Sequence, residues 1–192
     1  MNSKNGVDSQ QDFRQCLMAE LDALYRTASY MTGIPDIAED IVQEVALKAI
    51  RGQNTFRPEA NFRPWIFTIL RHTVADYYRS QKIQHLEVNL DEMLEHVNGD
   101  HATSSMADLN QTSIEKFFLD QIWEEEISEA LRELPEEMRL AVLLVDVEEF
   151  SYRDIAEVLG WSPGSVMSRI YRGRQKLRQR LVAYAADKGY KV

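Results

Sequence analysis

The stretch Ser151-Tyr-Arg-Asp-Ile-Ala-Glu-Val-Leu-Gly160, Trp161-Ser-Pro-Gly-Ser165, Val166-Met-Ser-Arg-Ile-Tyr-Arg-Gly-Arg-Gln-Lys-Leu-Arg-Gln-Arg-Leu181 reads as a helix, a short turn and a second helix. Ser151, three residues ahead of Asp154, is a capping-box-like start, and Gly160 suits the left-handed position just past a helix end. Ser162-Pro163 restarts the chain with a hydroxyl N-cap and a proline in the first turn. This is the pattern of a helix-turn-helix. The second helix carries Arg169, Arg172, Arg174, Lys176, Arg178 and Arg180, with no acidic residue between Ser162 and Leu181. Its Val166, Ile170, Leu177 and Leu181 form an apolar stripe that docks on a protein core, unlike a basic helix lying on lipid. Ser165, Met167, Ser168, Tyr171 and Arg172 fall toward its outer N-terminal part, which in a recognition helix reaches base edges in the major groove. The pattern points to a DNA reader.

A net charge of −9 over 192 residues looks wrong for that role until it is divided along the chain. Residues 1–83 are neutral, residues 84–137 carry −13, and residues 138–192 carry +4. The flanks can meet phosphate while the centre repels it. No run approaches the ~20 apolar residues of a membrane span, and the start Met1-Asn-Ser-Lys-Asn-Gly6 lacks a signal-peptide core. A cytoplasmic protein without membrane insertion is expected. The one cysteine, Cys16, excludes an internal disulfide and a cysteine-based zinc cluster. On an amphipathic helix it reads as a small packing residue.

No segment alternates at period two, so an all-α chain of two small helical domains is predicted. A first helix spans Gln11 to Met31, with Phe13, Leu17, Leu21, Leu24, Ala28 and Met31 on one face, and Thr32-Gly-Ile-Pro35 breaks it. A second runs from Asp36 to Ile50, with Ile37, Ile41, Val45 and Ile50 inside and Glu39, Asp40, Gln43, Glu44 and Lys48 outside. After a loop at 51–61, a third spans Phe62 to about Lys82. Periodicity then fails, and residues 84–113 read as a mobile acidic linker between a domain at 1–83 and another at 114–192. Helices resume over Ile114–Leu134 and Glu136–Val147. His85, His96 and His101 lie in or beside the linker at spacings that fit no standard metal-ligand pattern. No metal site, cofactor or catalytic constellation is expected.

Asp36-Ile-Ala-Glu-Asp-Ile-Val-Gln-Glu-Val-Ala-Leu-Lys-Ala49 resembles conserved region 2 of bacterial sigma factors of the extracytoplasmic-function (ECF, group IV) type. Phe56-Arg-Pro-Glu-Ala-Asn-Phe-Arg-Pro-Trp-Ile-Phe-Thr-Ile-Leu-Arg71 looks like the next block of that family, and the helix-turn-helix is similar to its region 4. The resemblance implies a non-enzymatic subunit that brings core RNA polymerase to promoter DNA. Asp36, Glu39, Asp40, Gln43, Glu44 and Lys48 would dock on the β′ clamp helices. The C-terminal domain would bind the β flap and the −35 element through Ser165, Met167, Ser168, Arg169, Tyr171, Arg172, Arg174 and Lys176. Asp146-Val-Glu-Glu-Phe-Ser-Tyr-Arg-Asp-Ile-Ala156 and Gly164-Ser-Val-Met-Ser-Arg-Ile-Tyr-Arg-Gly-Arg174 look like the thiol-stress branch, implying a zinc-containing anti-sigma partner.

Melting DNA costs a few kcal/mol of unstacking and unpairing. Aromatic faces in a cationic groove return about 1–3 kcal/mol per stacked base. The third helix offers Trp65, Tyr77 and Tyr78 with Arg63, Arg71, Arg79 and Lys82 for this task, Trp65 at least partly as core. The resemblance adds His72 and Asp76 to the −10 set, and His72 stands where many relatives carry Asn. A stand-alone helix-turn-helix repressor, dimerising through its N-terminal helices, is the competing reading. It leaves the aromatic-basic third helix and the polar face at Asp40–Lys48 unexplained. A helical histidine-metal phosphohydrolase is a third, and lacks the ligand spacing.

Overall fold

The computed structural model describes residues 5–57, 60–95 and 125–189, with residues 5–11 and 83–95 given by their backbone. In chain order the described helices are α1 (Asn5–Thr32), α2 (Pro35–Gly52), α3 (Phe62–Glu95), α4 (Glu125–Arg132), α5 (Glu136–Asp146), α6 (Tyr152–Leu159) and α7 (Pro163–Asp187), with a 3-10 turn at Gln53–Thr55 after α2.

Gly33, at φ 72°, ends α1 and donates its N–H to the Ser29 carbonyl at 2.7 Å. Only glycine adopts that left-handed turn without penalty. Pro35 then opens α2, whose buried stripe is Ala38, Ile41, Val45 and Ala49. Ile50, expected inside, is 48% exposed. Alanines at both ends of the stripe let α2 pack closely, and a four-residue step from Val45 reaches Ala49, leaving the larger Ile50 outside. Cys16 is likewise exposed, not packed.

The largest departure lies in α3. The helix does not stop near Lys82 but runs to Glu95, into the segment expected to be mobile linker. Residues 83–95 hold three Leu and three Glu with one Gln and one Met, all good helix formers, and no Gly or Pro. Propensity sustains the helix where amphipathic periodicity fails. The rest of the linker, 96–113, and most of the helix expected from Ile114 lie outside the described residues. So do His96 and His101.

The C-terminal helices follow their capping chemistry closely. Ser151 Oγ accepts the Asp154 N–H at 3.2 Å and donates to the Asp154 carboxylate at 2.7 Å, and Gly160 closes α6 at φ 64°. Ser162 differs from expectation, since its hydroxyl caps nothing. Its carbonyl instead accepts the Ser165 N–H and hydroxyl, at 2.9 and 2.8 Å. Where α7 crosses α5, Gly173 is buried. A Cβ there would lie 2.8 Å from Val142 Cγ2 and 3.0 Å from Met138 Cγ.

The two helical units share one apolar core. Leu24, Met31, Ile66, Phe67 and Leu70 from α1 and α3 belong to the same buried cluster as Leu131, Leu143, Leu144, Ile155 and Ile170. Helix α1 packs on α4 and α5, and α3 packs along α6. Phe150, in the loop before α6, meets Phe67 edge-on at a ring separation of 4.9 Å.

Candidate nucleic-acid interface

Helix α7 is fixed by its buried face. Val166 and Ile170 are sealed in the core, and Leu177 packs against it. The opposite face therefore has to look outward. It presents Met167 at 63% exposure and Tyr171 at 62%, together with exposed Ser168 and Arg172 and half-buried Ser165. Tyr171 is steadied through its hydroxyl, which accepts a hydrogen bond from Gln175 at 3.0 Å.

The basic residues of α7 divide into held and unpaired sets. Arg169 lies over the Trp161 ring at 4.3 Å, with Glu137 at 3.9 Å. Arg174 grips Asp146 through two nitrogens, one at 3.1 Å, and that hydrogen bonding holds its guanidinium above the ordinary value. Arg180 is paired with Glu133. Arg172, Lys176 and Arg178 are exposed and make no ion pair among the described residues. Their charge is free to meet phosphate or a base edge.

Helix α3 turns much of its expected DNA-facing set inward. Trp65 sits half-buried among Phe13, Phe56 and Phe62, at ring separations of 6.0, 5.2 and 5.5 Å. Arg63 bonds Glu20 at 3.0 Å, the Glu148 carboxylate at 3.0 Å and the Glu148 carbonyl at 2.8 Å. Arg71 donates to the Leu159 carbonyl at 3.0 Å and contacts His72 Nε2 at 2.6 Å. His72 is exposed, and desolvation, with the Arg71 charge second, lowers its pKa. Tyr77 and Tyr78 are both half-buried, their rings 5.4 Å apart. The Tyr78 hydroxyl donates to the Met31 carbonyl, and burial raises its pKa. Exposed Asp76 and Arg79 pair with each other at 2.9 Å.

On α2, Asp36, Glu39, Asp40, Gln43 and Glu44 are all exposed. Lys48 folds back toward α3, with Glu44 at 2.8 Å, the Thr73 hydroxyl at 3.1 Å and Asp76 at 3.7 Å. Sequence reasoning missed the continuation of this face: Leu47 is 52% exposed and Ile50 lies beside it along the helix. The legible signal was the spacing, since Asp40, Gln43 and Leu47 fall at steps of three and four. A groove of about 320 Å³ runs between α2 and α3, lined by Ile37, Asp40, Ile41, Glu44, Asp76 and Tyr77. The exposed acidic stripe of α2 thus ends in two exposed aliphatic residues, Leu47 and Ile50.

Residues 17–83 match the family described as Sigma-70 region 2, and residues 124–177 match Sigma-70, region 4. The first match runs from within α1 to within α3, and the second runs from the start of α4 through the helix-turn-helix into α7. The chain is 32% identical to the ECF RNA polymerase sigma factor EcfG of Rhodopseudomonas palustris, over 91% of this chain and 87% of that protein. The chain belongs to the ECF sigma factors of the sigma-70 family. It is also 28% identical to the RNA polymerase sigma factor YlaC of Bacillus subtilis, over 91% of this chain and 92% of the relative. Among solved structures it is similar to the sigma factor RpoE of Bartonella quintana in complex with the anti-sigma factor NepR. There the TM-score is 0.64 at 29% identity, covering 89% of this chain and 97% of the other. As a sigma factor, this chain acts in promoter-specific initiation of transcription. Among the described residues no helix is long and apolar enough to cross a membrane.

Proposed function

We propose that the exposed face of α2 docks on the β′ clamp helices of core RNA polymerase, that α3 receives the opened −10 element, and that α7 reads the −35 element beside the β flap. The domains that carry these tasks are residues 1–83 and 114–192, and they work in the cytoplasm. The observation that carries the −35 assignment is the outward face of α7. There Met167, Tyr171 and unpaired Arg172 stand together on a helix whose other side is locked into the core.

Roles on α7 follow from charge and reach. Arg172 makes a bidentate contact to guanine, Met167 lies against a thymine methyl, and Ser165, Ser168 and Tyr171 reach phosphate or base edges. Lys176 holds phosphate without sequence choice. Arg169 and Arg174 contribute field from fixed positions, set by Trp161 and Asp146. On α3, His72, Asp76 and Arg79 are exposed and half-buried Tyr77 lines the groove beside α2, whereas Arg63, Arg71 and Tyr78 require rearrangement of their contacts with the C-terminal unit, and Trp65 supports the helix start from its aromatic nest. On α2, Asp36, Glu39, Asp40, Gln43 and Glu44 meet polymerase, with Lys48 bracing the face from behind.

An anti-sigma factor controls the chain in this reading. The partnership is supported by the similar sigma factor solved with NepR, and its zinc-containing kind by the two C-terminal motifs at 146–156 and 164–174. The deciding experiment selects bound sequences from a random duplex pool with the chain plus core polymerase, and with the chain alone. Enrichment of a two-part motif that depends on polymerase is the expected result. A palindromic motif enriched without polymerase would instead establish the repressor reading.

A further inference from the structure

We propose that the free chain is closed on itself by a carboxylate latch, Glu148, which withholds Arg63 and Arg71 from DNA. Glu148 precedes α6 and is only 2% exposed. Arg26 of α1 clasps it with Nε to one oxygen at 2.8 Å and Nη2 to the other at 2.9 Å. Arg63 of α3 adds a third bond at 3.0 Å and a fourth to the Glu148 carbonyl at 2.8 Å. Both arginines belong to the polymerase-binding unit, and Glu148 to the −35 unit. The arrangement is built at a conformational cost, since Glu149 next door stands at φ 56°, a left-handed value that a non-glycine residue rarely adopts. That turn points one acidic neighbour inward while Glu149 stays exposed.

Other contacts across the same seam have the same consequence. Arg63 stacks over the Phe150 ring at 4.7 Å, and Arg71 donates to the Leu159 carbonyl at the end of α6. Arg139 of α5 is buried and donates to the Met31 carbonyl of α1 at 2.6 Å. Every one of these groups must change partners before the units separate. Glu148 is the desolvated partner, with its side chain 1% exposed, so opening the seam or removing a guanidinium strips a buried carboxylate of the charges that compensate its burial. If the open form is about 1% of the free chain, apparent DNA affinity is lowered roughly 100-fold, and releasing the latch while the other seam contacts remain recovers about tenfold of it.

The closed state itself does not depend on the promoter assignments, but the withholding of DNA contacts rests on the α3 reading above. The test therefore pairs a conformational readout with a binding one on the full chain. Glu148→Gln and Arg26→Ala are compared with wild type by small-angle X-ray scattering and by binding of labelled oligothymidylate, with helical circular dichroism confirming the fold. Arg26 lies outside the proposed DNA-contact set, so its variant still decides the matter if the Gln variant does not fold. The expected result is an enlarged radius of gyration with oligothymidylate affinity raised about tenfold or more. An unchanged radius in a folded variant overturns the latch, and an enlarged radius with unchanged affinity overturns the withholding of DNA. If no chain binds DNA even with core polymerase added, the promoter reading fails instead, and the scattering still decides the latch.

Discussion

At the residue scale, the basic side chains of α7 separate by what already holds them. Arg172 is unpaired and sits near Met167 and Tyr171, so Arg172→Ala should relax base preference at one position, at a cost of about 1–3 kcal/mol in discrimination. Lys176→Ala should weaken all sequences alike and flatten the salt dependence by about one phosphate contact. Binding-site selection at several salt concentrations distinguishes the two, and identical profiles for both variants would show α7 docked differently. His72 yields a pH prediction with a definite sign. Its pKa is lowered chiefly by desolvation, so the folded chain binds fewer protons there than the unfolded chain. The stability tied to neutral His72 is therefore complete above the ordinary histidine value of about 6.5 and is lost as pH falls toward the lower folded value. His72→Asn should flatten that slope in denaturant titrations below neutrality, and an unaltered slope would assign it to other groups. Single residues were also where the sequence was least legible. Ser162 looks like a hydroxyl cap, yet its carbonyl is the group that bonds Ser165, and hydroxyl rotamers are not written in sequence. Glu148 looks like one of two neighbouring surface acids, and only the fold reveals which one is buried.

At the element scale, helix identity followed from periodicity and caps, and helix ends followed only where a stop signal exists. Gly33 and Gly160 end α1 and α6 where their left-handed backbone requires it. No such signal follows Lys82, and α3 runs on to Glu95. The inward and outward faces of α2 were legible except at Ile50, where side-chain size misled the reading. Its exposed edge makes a prediction. Asp40→Ala with Gln43→Ala should weaken core-polymerase binding, and Leu47→Glu should weaken it further, because desolvated aliphatic anchors dominate interface energies over rim charges. Quantitative pull-downs alongside circular dichroism test this, and full affinity in the triple variant would remove α2 from the interface. Helix packing supplies another prediction. Gly173→Ala forces a methyl against Val142 Cγ2, a branched side chain with few rotamers, where α5 and α7 cross. Such overpacking costs about 1–3 kcal/mol. A lowered unfolding midpoint is expected, together with weaker DNA binding as α7 shifts, and a midpoint equal to wild type would mean the crossing relaxes freely.

At the scale of the whole molecule, the sequence foretold two helical units but not that they pack together. An acidic segment between two motif sets is visible from composition, whereas complementarity between Phe150 and the surface of α3 is a property of folded shapes. That complementarity has a thermodynamic consequence. Phe150 is buried against Phe67, with Arg63 stacked above it, and the described core runs without a break from α1 to α7. Units sharing such a core should unfold together, so wild type is expected to give one cooperative calorimetric transition. Phe150→Ala removes the ring from the seam while leaving every other residue of the shared core unchanged. Losing a buried phenyl typically costs about 3–5 kcal/mol, and at a seam that loss falls on the coupling between units more than on either alone. The variant should therefore show two transitions, one for each unit, and a larger radius of gyration. Each unit then melts at its own intrinsic stability, so added salt, which screens the arginine–carboxylate contacts only where they are exposed, should move the two midpoints little. A variant that still melts in one transition would mean that the remaining contacts of α1 with α4 and α5 suffice to couple the units. Two transitions already present in wild type would mean that the seam is too weak to join them, and that the units behave as independent bodies in the free chain.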